Sequence, residues 1–126
     1  MQSNDVTIVA GTIDDIALVQ RLADSIWRRH YPGILSDAQI DYMLARGYAR
    51  EVLAAFVAAD GAGLAIVRSG GDPAGFAAWV RDREPMTTKL DKLYVEPALH
   101  GRGLGRALIA HVEDAARRDG ARTLVL

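Results

Sequence analysis

The sequence predicts one domain spanning residues 1–126, of the α+β (mixed α/β) class, with a central, mostly antiparallel sheet flanked by helices. Three observations carry that prediction. A β-branched run, VTIVA, is followed by segments of helical period. Two short apolar runs, LAIVR and GFAAWVRD, flank the turn cluster SGGDPA and read as a hairpin. The last third reads strand, glycine-rich bend, helix, strand, the pattern of a right-handed parallel crossover.

The elements follow in order. Val6 to Ala10 alternate as a strand does. Thr12 to Asp15 form a capping box, with Asp in the place usually held by Glu or Gln. Ile16, Val19, Ala23, Ile26 and Trp27 then recur at helical spacing, so a helix runs from Ile13 to His30. Pro32 and Gly33 stop it. Ser36 to Gln39 form a second capping box, opening a helix with Ile40, Met43 and Leu44 on one face and Gly47 near its end. EVLAAFVAAD fits a helix through Val52, Leu53, Phe56 and Val57, and fits a strand as well. After the hairpin, KLDKLYV is the next strand. Leu104 to Asp119 is a helix lined by Leu104, Leu108, Val112 and Ala115. Arg117 and Arg118 suit its negative end, and Gly120 suits the left-handed cap. RTLVL begins the final strand.

Bulk properties remove several function classes. Fifteen Lys and Arg against sixteen Asp and Glu give a formal net charge of −1. Such a balance offers no footprint for nucleic acid or a membrane surface, so neither is expected as a partner. With no cysteine, disulfides, thiolate metal sites and a cysteine nucleophile are excluded. Three scattered histidines make no zinc site, and no metal is expected. The start, MQSNDVTIVAG, is polar rather than a signal peptide, and no apolar run is long enough to span a bilayer. A cytoplasmic location is expected.

The chemistry gathers in LYVEPALHGRGLGRALI, which begins at Leu93. Backbone N–H groups at a helix start lack intrahelical partners and lie at a positive dipole end, where a phosphate fits. Gly101, Gly103 and Gly105 bare those groups, and Arg102 and Arg106 add positive charge. The physical reading is a diphosphate cradle; the alternative is a tight turn without a ligand. A P-loop needs Lys and then Ser or Thr after its last glycine, but Arg106 and Ala107 stand there. The dinucleotide fingerprint needs Gly-x-Gly-x-x-Gly and an acid ending the next strand, and both are missing.

The stretch LDKLYVEPALHGRGLGRALI resembles the GNAT superfamily of acyl-CoA-dependent N-acetyltransferases. The family motif maps onto His100, Gly101, Arg102, Gly103, Leu104 and Gly105, with His100 where the family has Gln or Arg. The order of the other elements fits along the whole chain. The resemblance implies a GNAT-like fold, with acetyl-CoA as co-substrate and an amine as acceptor. It places the coenzyme along Leu93, Tyr94 and Val95 and on the loop from His100 to Arg106. It implies a bulge in the preceding strand, and a Val95 N–H that polarises the acetyl oxygen. An alkyl amine, with a pKa of about 10, must lose a proton before attack. Alternation puts Lys89, Asp91, Leu93 and Val95 on one face of the strand and Lys92 and Tyr94 on the other. Asp91 and Glu96 are the candidate general bases, although each also reads as a solvated carboxylate, and the family often has Glu where Lys89 stands.

Trp27, Tyr31 and Tyr42 lie where the family builds its acceptor pocket. Trp27 also reads as plain core, and Tyr31, beside the Pro-Gly break, is the better acceptor residue. His30 and His111 are assigned no role. The family's usual proton donor to the thiolate is a tyrosine on a helix after the strand that RTLVL begins. The sequence stops at Leu126, so the resemblance implies a domain lacking its C-terminal helix and last strands. Either the natural chain continues, or a homodimer partner completes the sheet. The rival reading is a non-catalytic CoA-binding or interaction module that keeps part of the fold.

Overall fold

The computed structural model describes residues 5–31 and 33–126. The polar stretch before Asp5 and the helix-stopping Pro32 of the sequence reading lie outside the described residues. β1 (Val6–Ala10) is followed by a single 3-10 turn over Ile13–Asp15 and by α1 (Ile16–His30). The Thr12 hydroxyl and the Asp15 carboxylate cap each other's backbone as the sequence predicts. α2 (Asp37–Gly47) opens on the Ser36–Gln39 box. α3 (Arg50–Ala58) resolves the ambiguous segment as a helix, because Leu53 is fully buried and Phe56 and Val57 join its side at helical spacing.

β2 (Gly63–Ser69) and β3 (Asp72–Arg81) form the hairpin, β4 (Thr87–Val95) returns beside β3, and α4 (Leu104–Arg118) carries the chain over to β5 (Thr123–Val125). Strand order is β1-β2-β3-β4-β5, antiparallel throughout except for β5, which lies parallel to β4. Among the described residues no helix is long and apolar enough to cross a membrane.

The sheet separates two cores. On one face α1, α2 and α3 pack Ile16, Val19, Ile26, Trp27, Ile40 and Leu53 against Leu64, Ile66, Phe76 and Ala78. On the other, α4 packs Leu104, Leu108 and Val112 against Ala65, Val67, Ala77, Trp79 and Leu90. Each fully buried aliphatic side chain contributes about 1.5–3 kcal/mol of transfer free energy. The α4 seam continues to Ala116 at four-residue spacing, while Ala115, expected on it, is half-buried at its edge. Met43 departs further, since it is exposed. α2 buries only Ile40 fully, so its apolar stripe is too narrow to include a residue three positions on.

Charge adds a surface contact to that anchor. The Arg28 guanidinium on α1 reaches Asp24 at 3.0 Å, Asp37 at 3.4 Å and Asp41. A second clasp joins the end of β3 to the end of α4: Arg81 donates to both Asp119 oxygens, at 2.8 and 2.6 Å. Gly61 (φ +72°) lies over this pair, and a Cβ there would collide with it. Met86 takes φ +55°, and its carbonyl accepts from the Arg122 and Thr123 amides, which pins β5 beside the start of β4.

Candidate active site

The site begins with a register shift. Ala78 pairs with Lys92 while Trp79 pairs with Leu90, so Asp91 is an extra residue on β4. A bulge breaks the two-residue alternation, and the sequence-based face assignment fails on the N-terminal side of it. Leu90 shares the α4 side with Leu93 and Val95. The Asp91 carboxylate turns toward Lys92, at 3.1 Å, and toward Lys89, at 3.9 Å. Lys92 is only 11% exposed, and its ammonium stands 4.6 Å over the Tyr48 ring on the α1–α3 side. Asp91 therefore lies apart from the Leu93–Val95 face on which it was expected.

β4 then runs free along one edge. Glu96 N–H donates to Ala74 O at 2.9 Å. Exchanging and non-exchanging pairs alternate along an antiparallel ladder, so the Leu93 and Val95 peptide groups face away from β3. On that far side β5 pairs with Thr87, Thr88 and Lys89 only. Among the described residues, no strand pairs with Leu93 to Val95 on that side. Gly75 lets β3 press close here, because a Cβ would collide with the Tyr94 carbonyl.

Beyond β4, a 3-10 turn over Pro97–Leu99 reverses the chain, and the glycine loop delivers it to α4. Gly101 (φ +86°) and Gly103 (φ +79°) occupy the left-handed region that other residues adopt at a cost. Gly103 is the N-cap, so no side chain satisfies the first-turn amides, and the first turn holds no acidic residue. A Cβ on Gly101 or Gly103 would enter open space, and one on Gly105 would meet only Val95 Cγ2, at 4.0 Å. Those amides open onto a cleft of about 590 Å³ that also takes in Leu93, Val95, His100, Leu104 and Arg106. Uncapped donors at a positive dipole end, with clear space before them, fit a diphosphate.

Of the residues singled out in sequence for the coenzyme, Arg102 is exposed and does not line the cleft. Tyr94 points to the other side of the sheet, packing against Trp27 and Phe76 with ring centroids 5.8 and 5.9 Å away. Burial first, and then its neighbour Tyr31, raise the Tyr94 phenol above its ordinary pKa. Trp27 is 7% exposed and belongs to the core. Tyr31 is half-buried beside it, at 5.2 Å between centroids. Tyr42 is exposed on α2 and accepts a hydrogen bond from Arg46.

Glu96 sits in the crevice between α1 and the end of β4. Its side chain is 17% exposed and lies 3.4 Å from the Ser25 hydroxyl and 3.5 Å from Arg29. His100 turns its ring back onto the strand, 3.0 Å from Val95 O. His30, assigned no role in sequence, stands between Tyr31 and His100, at 4.6 and 6.5 Å between centroids. Sequence spacing gives no hint of that meeting, since 70 positions separate the two histidines in a chain folded through a sheet. Ser25 and Arg29 lie one turn apart on α1 at the spacing of one helix face, which was the available signal for them.

Residues 19–126 match the acetyltransferase (GNAT) family. No curated protein matches the sequence. Among solved structures, the PaiA N-acetyltransferase of Thermoplasma acidophilum in complex with coenzyme A superposes with a TM-score of 0.81 at 19% identity, covering 92% of this chain and 74% of that one. A GCN5-related N-acetyltransferase from Ralstonia eutropha JMP134 gives 0.72 at 22%, covering 97% and 82%. AAC(6')-Iy, in complex with the bisubstrate analogue CoA-S-monomethyl-acetylneamine, gives 0.65 at 20%, covering 96% and 78%.

Proposed function

Because the chain belongs to the acetyltransferase (GNAT) family, we propose that it transfers an acetyl group from acetyl-CoA to a primary amine of a small molecule or protein, by direct attack. One observation carries the reading. The uncapped start of α4 and the unpaired edge of β4 open on the same cleft, at the two ends of its lining. Acetyl-CoA supplies an acyl group already activated as a thioester.

The residues divide the remaining work. The amides from Gly103 to Arg106 hold the diphosphate, and the Arg106 guanidinium adds charge at the cleft rim. Leu93 offers its N–H and carbonyl to the pantetheine amides, as a neighbouring strand would, with the Val95 N–H next along the same edge. The Val95 N–H, fixed before binding, stabilises negative charge developing on the acyl oxygen. Glu96 is the preferred proton acceptor, since it adjoins Val95 and its carboxylate lines the crevice beside α1. Asp91 is the second candidate, set apart from Val95 and engaged by Lys92 and Lys89. Tyr31 and His30 border the acceptor side.

Calorimetric titration with CoA, followed by thiol release from acetyl-CoA over a panel of amines, tests the proposal. Micromolar binding with amine-dependent thiol release is expected. Binding without release would leave a coenzyme-binding module, and absence of binding would refute the reading altogether.

A further inference from the structure

Resting on the coenzyme reading above, we infer that His100 is a positioning residue that ties the end of β4 to the glycine loop, and not a ligand of the diphosphate. A carbonyl oxygen only accepts, so the 3.0 Å contact with Val95 O requires the His100 ring to donate from Nε2. In the neutral ring the other nitrogen, Nδ1, is then an acceptor and has nothing to offer a phosphate oxygen. The peptide joining Val95 to Glu96 is planar, and it is now held from both sides. Its N–H donates to Ala74 O across the sheet, and its carbonyl accepts from His100.

The turn between them closes the arrangement. Leu99 N–H donates to Glu96 O and His100 N–H to Pro97 O, winding the chain so that the ring returns to the strand five residues back. Gly101 follows at once with positive φ and leads into the anion cradle. One side chain thus sets the distance between the first-turn amides of α4 and the Val95 peptide, the two places that must engage opposite ends of one long ligand. It also closes the open edge of β4 at Val95 O, so a ligand pairing with Leu93 and Val95 has a single register. The same tie fixes the backbone from which the Glu96 carboxylate projects.

The test separates the tie from phosphate binding. In the ligand-free protein, ¹⁵N spectra of the imidazole should show the Nε2–H tautomer, and Glu96 amide exchange should speed up about ten-fold in His100→Ala. NMR titrations with CoA and, separately, with pantetheine, which lacks the diphosphate, follow. Loss of one such hydrogen bond should weaken both ligands by a similar five- to ten-fold. His100→Gln, which places an amide N–H near the position of Nε2, should restore both to within about two-fold. Weakening of CoA alone would make His100 a phosphate ligand and overturn the inference. So would unchanged affinities, failure of the Gln variant to rescue, or an Nδ1–H tautomer. Wild-type protein that binds neither ligand refutes the coenzyme reading, and the ligand-free spectra distinguish that outcome from a missing tie.

Discussion

Replacing Gly103 by Glu should abolish coenzyme binding while leaving the fold standing, and both halves follow from the geometry. Gly103 is the N-cap of α4 at φ +79° and ψ +9°. A side chain in that left-handed conformation costs about 1–2 kcal/mol. A carboxylate at a helix N-terminus returns about 0.3–1 kcal/mol through the dipole. Apart from its immediate chain neighbours, no protein atom lies within 4 Å of the new Cβ, so no clash is added. The net loss, at most about 2 kcal/mol, leaves a domain of ordinary stability folded. Binding fares differently. The Glu side chain occupies the space before the first-turn amides and sets negative charge against negative charge. If two donors are lost to the diphosphate, at about 1.5–3 kcal/mol for each bond to a charged group, the cost is about 3–6 kcal/mol. That corresponds to a fall in affinity of about 10²- to 10⁴-fold. Calorimetric titration with CoA measures the affinity, and circular dichroism melts check the fold. A folded variant that binds within about three-fold of wild type would refute the anion cradle.

Further outcomes are expected. Glu96→Gln should lower kcat by about 10²- to 10⁴-fold with little change in KM for acetyl-CoA, whereas Asp91→Asn should cost less than ten-fold; steady-state thiol release reads both, and the reverse order would make Asp91 the base. The double hydrogen bond from Arg81, with its charge, holds the Asp119 carboxyl below the usual carboxylate range. A depressed folded pKa contributes stability that is complete above the unfolded value and lost as pH falls through the folded one. Melting temperatures of wild type and Asp119→Asn should therefore differ near neutral pH and converge as pH falls below about 4, the unfolded carboxylate value. Met86→Gly should stabilise by up to about 1 kcal/mol in urea titrations, because φ +55° penalises a side chain and the pinning carbonyl is retained.

The sequence was most readable where local chemistry acts alone. Both capping boxes, the hairpin around SGGDPA and the left-handed Gly120 stand where the residues put them. The glycine loop was legible for the same reason, because bare amides at a helix start need no distant partner to be recognised. Asp91 shows where such reading stops. A bulge depends on how β3 and β4 settle against each other, and KLDKLYV by itself carries only alternation. Lys92 keeps the face it shares with Tyr94 by alternation, but the burial of its ammonium against Tyr48 and the end of α2 depends on helices distant in sequence. His100 was recognised as a departure from the family motif, but its contact with Val95 depends on the intervening turn and has no signature in residue type.

The uneven anchoring of the two helical layers has a further consequence. α4 is fastened by a row of buried aliphatic side chains, an attachment indifferent to ionic strength. α2 has one fully buried anchor, Ile40, and otherwise meets α1 through Arg28 against Asp37 and Asp41 at the surface, a contact that dissolved ions screen within about 10 Å. Raised salt should therefore loosen the surface contact of α2 with α1 while leaving the seam of α4 unchanged.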